Sequence, residues 1–178
     1  MQMDDELLAV RCQLGEAEAF DALVARWHPP LWAYARRLSG SDDAAGDAVQ
    51  EIWLRVIRAL PGLREPSRLR PWIFGIARRT LMDRLRAQYA APRDADVDLE
   101  ELEGEGDAAV VEAEEESAAL HAALQRLPVI EREVLVLFYL RELSLAEIAG
   151  LLNVPAGTVK SRLFRSRQML RAEMSARE

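Results

Sequence analysis

The sequence predicts an all-α protein, made of two small helical domains joined by a flexible acidic linker. Apolar residues recur at helical spacing toward both ends of the chain, and no segment alternates as a strand does. A long acidic stretch separates these two parts, and 178 residues are enough for two small helical domains. We expect residues 1–88 and 117–178 to form the domains and residues 89–116 to form the linker.

The predicted linker is defined by its charge. Between Arg93 and Glu116 twelve acidic residues stand against a single arginine, and two glycines interrupt the segment. Like charges repel one another, and without a sustained apolar stripe the segment has no core to join. Two roles stay open for it: it folds against basic surfaces of the chain and masks them, or it is only a solubilising tether.

The N-terminal domain is predicted to be helical throughout. We expect early helices over residues 6–13, 17–27 and 31–38, with Pro29 and Pro30 separating the second helix from the third. Ser41 is a predicted N-cap for the next helix, which runs to about Leu60 and stops at Pro61. A loop over residues 61–70 then leads to a last helix, which ends near residue 88.

Arginine is concentrated in the loop and the last helix of this domain. Between Arg64 and Arg86 seven arginines stand against two acidic residues. Ile73, Ile76 and Leu81 occupy the inner face of the predicted helix, so most of its arginines lie outside the core.

The C-terminal domain contains a predicted helix-turn-helix between Leu143 and Arg171. It is preceded by predicted helices over residues 120–127 and 131–141, which Pro128 separates. Ser144 and Glu147 have the spacing of a capping box, which starts the first helix of the motif. Asn153 makes the turn, and Pro155 suits the first turn of the second helix because its missing N–H costs little there.

The second helix of the motif has the residue types of a DNA-reading surface. Val159, Leu163 and Ser166 form its inner face, and the outer face is small, polar and basic. Arginine, lysine, serine and threonine suit guanine edges and phosphates in the major groove. The predicted outer-face residues are Gly157, Thr158, Lys160, Ser161, Arg162 and Arg165.

Composition and motifs exclude several other classes of function. The net charge of -7 would oppose nucleic-acid binding if it were uniform, but the acids are concentrated in the linker. Cys12 is the only cysteine, and neither a metal-spaced His or Cys cluster nor a glycine-rich phosphate loop is present. We therefore expect no enzyme activity, no cofactor and no metal. The chain also lacks a basic leader before an apolar stretch and any run long enough to span a bilayer, which predicts a cytoplasmic protein without membrane insertion.

Four segments together resemble the extracytoplasmic-function sigma factors, a group of the sigma-70 family that keeps regions two and four of the larger sigma factors. VPAGTVKSRLFRSRQML resembles the recognition segment of region four, and LQRLPVIEREVLVLFYL resembles the helices before it. AVQEIWLRVIRAL resembles the polymerase-binding segment of region two, and PWIFGIARRTLMDRLR resembles the helix after the promoter-opening loop. The resemblance covers nearly the whole chain.

The resemblance implies a division of labour between the domains. The C-terminal domain would read the minus-thirty-five element as duplex through the outer-face residues given above. The N-terminal domain would bind the core RNA polymerase and capture the opened minus-ten strand, and an anti-sigma factor is an implied partner. The implied strand-binding residues are Arg64, Arg68, Arg70, Arg78 and Arg79. The implied polymerase-binding residues are Asp47, Gln50, Glu51 and Arg55.

Two alternatives remain open on the sequence alone. A conventional helix-turn-helix activator would explain the C-terminal half but leaves the N-terminal domain without a role. A decoy that only sequesters an anti-sigma factor would not need Lys160, Arg162 and Arg165. The family often carries asparagine at the position of Arg79, so the side chain that holds the flipped base also stays open.

Overall fold

The computed structural model describes residues 4–90 and 118–175, and every regular element within these ranges is helical. The N-terminal helices are α1 (Asp5–Gln13), α2 (Ala17–Ser39), α3 (Asp42–Ala59) and α4 (Leu69–Ala90). The C-terminal helices are α5 (118–126), α6 (Val129–Leu135), α7 (Leu145–Leu152) and α8 (Ala156–Ser175). The predicted linker lies outside the described residues, except for its first two positions.

The N-terminal domain packs α2 against α3 and lays α4 against both. Ser41 caps α3 as predicted, because its hydroxyl accepts the backbone N–H of Ala44 at 3.3 Å. The aromatic centre of the domain is Tyr34 against Phe74, whose rings meet edge to face with centroids 5.4 Å apart. The loop between α3 and α4 consists of two short 3₁₀ turns, Leu60–Gly62 and Pro66–Arg68.

The predicted break at Pro29 and Pro30 is wrong, since α2 continues through both prolines. Each proline removes one backbone hydrogen bond from a helix interior. Buried residues nevertheless keep helical spacing on both sides of the pair, from Trp27 to Leu31 and Tyr34. Burial of this continuous apolar face outweighs the two lost hydrogen bonds.

The C-terminal domain packs α6 and α7 against α8. The predicted apolar helix begins at Val129, two residues early, and its last turn, Val136–Leu140, is π-helical. Arg167 of α8 lies over the rings of Phe138 and Tyr139, at 5.9 and 5.4 Å from their centroids. This turn carries no proline or glycine, so the sequence had no signal for it.

The two domains pack against each other, and their buried side chains form one continuous apolar cluster. Arg132 of α6 donates to the carbonyl oxygens of Arg37 and Leu38, at 3.4 and 3.1 Å. Gln125 of α5 donates to the same Arg37 oxygen at 3.0 Å. Carbonyls at a helix C-terminus lack partners within the helix, so the C-terminal domain satisfies the end of α2.

Candidate nucleic-acid and polymerase interfaces

The turn between α7 and α8 is built by local hydrogen bonds. The Ser144 hydroxyl accepts the Glu147 backbone N–H at 3.2 Å, and the Glu147 carboxylate accepts the Ser144 backbone N–H at 2.8 Å. Burial acts to raise the pKa of Glu147, but the Ser144 backbone N–H and hydroxyl both donate to its carboxylate and, with the charge of Arg70, hold that pKa below its ordinary value. Asn153 takes the left-handed conformation, with φ 54°, at the end of α7. The predicted capping box and turn are both confirmed.

The turn presents one face of α8 to solvent. Val159, Leu163 and Ser166 are buried, as the sequence predicted. Of the predicted DNA-reading residues, Gly157, Lys160, Ser161 and Arg165 are exposed, whereas Thr158 and Arg162 are half-buried. The six residues therefore lie along one side of the helix, and four of them are open to solvent.

Sequence reasoning missed Phe164, which is 61% exposed on this same face. It lies four residues after Lys160 and three after Ser161, a spacing that places all three side by side on a helix. An aromatic ring in this position can contact the methyl group of thymine. The sequence did indicate that Phe164 would be exposed, because it lies outside the apolar stripe of α8.

Two basic residues of α8 lie near acids of α6. Arg165 forms an ion pair with Glu131, whose side chain is 8% exposed. The positive charge of Arg162 acts on the buried carboxyl of Glu133. The predicted DNA-reading face is thus close to negative charge from its own domain.

The predicted strand-binding arginines fall into two groups. Arg64, Arg68 and Arg79 are exposed. Arg78 instead donates to Glu133 of the C-terminal domain, with 2.9 Å between its Nε and the carboxylate oxygen. Arg70 lines a cleft of about 410 Å³ between the domains, together with Arg141.

The electrostatics of the cleft agree with this placement of Arg70. Burial, followed by the positive charges of Arg70 and Arg37, lowers the pKa of Arg141. Arg70 is therefore close enough to the C-terminal domain to act on a charge there. Two of the five predicted residues face the other domain rather than open solvent.

The loop that carries Arg64 and Arg68 is held by α1. The Gln13 amide donates to the carbonyl oxygens of Leu60 and Leu63, at 3.0 and 2.8 Å. Leu63, between the two turns, is buried. Gln13 fixes the shape of this loop, a role that its sequence position did not indicate.

The predicted polymerase-binding residues of α3 are largely paired within the protein. Arg84 of α4 donates to Asp47 at 3.3 Å and to Glu51 at 3.2 Å. Arg55 donates to Glu51 at 2.6 Å. Gln50 is exposed beside this network.

An apolar groove of about 450 Å³ lies next to this network, between α2 and α3. Trp32, Leu54 and Ile57 along it are 37%, 50% and 48% exposed. Sequence reasoning missed the groove because it assigned only the core-facing stripe of α3. Leu54 and Ile57 widen the apolar face of α3 beyond that stripe. These extra apolar residues were the signal in the sequence for a groove at this place.

Two other kinds of site are absent from the part of the chain that the structure describes. Residues 4–90 and 118–175 contain no cluster of His, Cys, Asp or Glu able to hold a metal ion. Across the same residues, no helix has the length and apolar character needed to cross a bilayer.

Comparison with known proteins identifies both domains. The family model of Sigma-70 region 2 matches residues 23–90, and that of Sigma-70, region 4 matches residues 117–170. The RNA polymerase sigma-H factor of Pseudomonas aeruginosa is 34% identical, over 95% of this chain and 93% of the relative. The ECF RNA polymerase sigma-E factor of Escherichia coli (strain K12) has the same identity and the same coverage.

Solved structures show the same arrangement of helices. CnrH in complex with the cytosolic domain of CnrY has a TM-score of 0.75 and 26% identity, over 99% of this chain and 100% of that chain. The sigma factor RpoE of Bartonella quintana, in complex with the anti-sigma factor NepR, has a TM-score of 0.70 and 22% identity, over 89% and 98%. The latter similarity concerns the fold alone. With both family models matched in order and relatives aligned along nearly the whole chain, the protein belongs to the extracytoplasmic-function group of the sigma-70 family and is an alternative sigma factor in transcription initiation.

Proposed function

We propose that α8 reads the minus-thirty-five promoter element through its exposed face. The observation that carries this proposal is the solvent-exposed row of Lys160, Ser161, Phe164 and Arg165 behind a capped helix-turn-helix. Lysine and arginine supply phosphate and guanine contacts, and the phenylalanine supplies an apolar contact to thymine. Gly157, Thr158 and Arg162 complete the surface.

The N-terminal domain binds the core polymerase through α2 and α3. The apolar groove with Trp32, Leu54 and Ile57 supplies the area that a helical partner would bury. The charged network of Asp47, Glu51 and Arg55 borders the groove, together with Gln50, and orients that partner. The apolar surface thus adds affinity to the polar set that the sequence indicated.

The opened minus-ten strand binds to the arginines of the loop and of α4. Arg64, Arg68 and Arg79 are exposed for this contact, whereas Arg70 and Arg78 join them only when the domains separate. Cations along a strand track its phosphates, and the strength of binding falls steeply with salt. This proposal keeps the domain bounds 1–88 and 117–178, with residues 89–116 as the linker between them.

The proposed activity is binding and positioning rather than catalysis, and it needs no cofactor. Its place is the cytoplasm, where the polymerase works. An anti-sigma factor is a further expected partner, because the structurally similar RpoE was solved with one.

Run-off transcription with purified bacterial core polymerase tests the proposal. The full chain is added to a promoter library and the initiated transcripts are sequenced, so discrete start sites that depend on the protein are the expected result. Lys160→Ala should reduce the yield of these starts, whereas Arg126→Ala, an exposed arginine of the same domain on α5, should not. Core binding without any promoter use by a range of core enzymes would favour a decoy, and failure to bind core would favour a conventional activator.

A further inference from the structure

The boundary between the two domains contains one buried carboxylate with partners on the opposite side. Glu133 of α6 has a side chain that is 1% exposed. Its Oε1 accepts the Tyr34 hydroxyl at 3.1 Å and the Arg78 Nε–H at 2.9 Å. Tyr34 belongs to α2 and Arg78 to α4, so a single acid of the C-terminal domain binds two helices of the N-terminal domain. We call this arrangement the docked form.

Three side chains stabilise the negative charge of Glu133 against the effect of burial. Burial raises the pKa of its carboxyl, while Arg78, Tyr34 and the more distant Arg162 oppose that rise. The remaining contact of the guanidinium is from its Nη2 to Oε2 of Glu133, at 3.5 Å. Arg78 is the residue that compensates this buried charge, so the two must stay together while the domains are docked.

While Arg78 pairs with Glu133, the Nε edge of its guanidinium is not available to a phosphate. Carboxylate and phosphate both bind a guanidinium through its planar set of N–H donors, and the Nε edge of Arg78 already faces the carboxylate. The neighbouring Arg79 is exposed, and the Glu133 contact does not involve it. Both arginines are predicted to bind the strand. In the docked form, however, Arg78 is paired with Glu133 and Arg79 is exposed to solvent.

We propose that Glu133 is an internal competitor for the promoter strand, which occupies Arg78 in the docked form and must release it before the minus-ten phosphates can bind. The inference rests on the proposed function of the arginine surface and names its regulation. Core polymerase or promoter DNA would gain access to Arg78 only by separating α6 from α2 and α4.

Glu133→Gln tests the proposal in the full-length chain, because glutamine keeps the size of the side chain and removes its charge. Fluorescent labels at Glu18→Cys and Ala172→Cys, one exposed site in each domain, report the docked form by energy transfer in a Cys12→Ala background. We expect energy transfer to fall in E133Q. Glu131→Gln is the matched control, since Glu131 is a buried acid of the same helix that pairs with Arg165 inside its own domain. Its energy transfer should match that of the parent.

Strand binding is the second measurement. A labelled random single strand of about 12 nucleotides is titrated by fluorescence anisotropy at low salt. E133Q should bind it at least about threefold more tightly than the parent, because a larger fraction of the protein is competent to bind. The gain should vanish in E133Q/R78A compared with R78A, whereas R79A should weaken the parent and E133Q equally.

The outcomes separate the failure of this inference from that of the proposed function. Unchanged energy transfer in folded E133Q would overturn the inference, and Tyr34→Phe provides a second test that removes one hydrogen bond without changing charge. Reduced energy transfer without tighter strand binding would also overturn it, because competition requires both. If neither the parent nor E133Q binds the strand and Arg79→Ala changes nothing, even with core polymerase present, the proposed arginine surface itself is wrong.

Discussion

The two proposed DNA-binding surfaces of this sigma factor differ in how much they depend on the packing of the two domains. On α8, the reading face is formed by one helix and a capped turn, and its principal side chains point to solvent. On the N-terminal domain, Arg64, Arg68 and Arg79 are open, whereas Arg70 and Arg78 face the other domain. A surface within one helix follows from local sequence, whereas the availability of a surface built from several elements depends on domain docking.

The largest expected effect is on docking itself. Arg132→Ala removes a buried guanidinium whose donors satisfy carbonyls in both domains, including those of Leu38 and Leu127 at 3.1 Å each. We expect the free energy of unfolding to fall by about 3 kcal/mol, because several buried carbonyls lose their partners. Urea denaturation measures this, with exposed Arg126→Ala as the control. A loss as small as that of the control would show that the polar contacts do not hold the domains together.

The second-largest effect concerns the exposed face of α8. Arg165→Ala should weaken duplex promoter binding by about 1 to 3 kcal/mol if the arginine reads a base. If it contacts a phosphate instead, the salt slope of binding should fall by about one unit. A salt titration monitored by anisotropy separates the two cases. Unchanged affinity and slope would remove Arg165 from the site.

A smaller effect tests whether the α8 surface really depends on local structure. Ser144→Ala removes the capping hydroxyl of α7 and should destabilise the helix-turn-helix by about 1 kcal/mol. Hydrogen exchange of the α7 amides should speed up, while the Arg78 contact and domain docking stay unchanged. Ser161→Ala, whose hydroxyl lies on the exposed face, is the control. A loss of docking in Ser144→Ala would contradict the local origin of this surface.

The smallest expected effect is a pH dependence of docking. Burial, then the charges of Arg36, Arg37 and Arg132, lower the pKa of His121 to about 4, against a weaker opposing effect of Asp42. The Nε2 of His121 lies 2.6 Å from Nη1 of Arg36, so docking favours the neutral ring that accepts this bond. The stabilisation is complete above the ordinary histidine pKa of about 6.5 and is lost as pH falls toward about 4.

Energy transfer between the domains, followed from about pH 7 to about pH 5, measures this dependence. His121→Asn removes the titration of the ring and leaves every other titrating group in place. The difference between the parent and His121→Asn therefore isolates the histidine. Identical pH profiles would show that His121 does not report on docking.

Much of the fold was predictable because its signals are local. Ser41, the pair Ser144 and Glu147, and Asn153 marked helix boundaries through hydrogen bonds between residues close in sequence. The prolines of α2 misled the prediction, because the loss of two hydrogen bonds is a local signal and the burial of a long apolar face is not. The π-helical turn had no local signal at all.

The candidate sites also differ in whether local sequence could indicate them. The sequence indicated which residues of α8 share a face, because a helical period fixes this. It could not indicate that Arg84 would bind Asp47 and Glu51, or that Gln13 would hold the loop. Those contacts join residues more than thirty positions apart, so only packing decides them.

By itself the sequence determined the helical class, the family and the chemistry of the DNA-reading helix, because these depend on spacing and residue type along a short segment. The tertiary structure decided which charged side chains remain available. Arg78 and Arg79 are adjacent in sequence and identical in chemistry, yet only Arg78 binds the buried carboxylate of Glu133. Neighbouring residues on a helix point in directions about 100° apart, so docking of a second domain buries one and leaves the other in solvent.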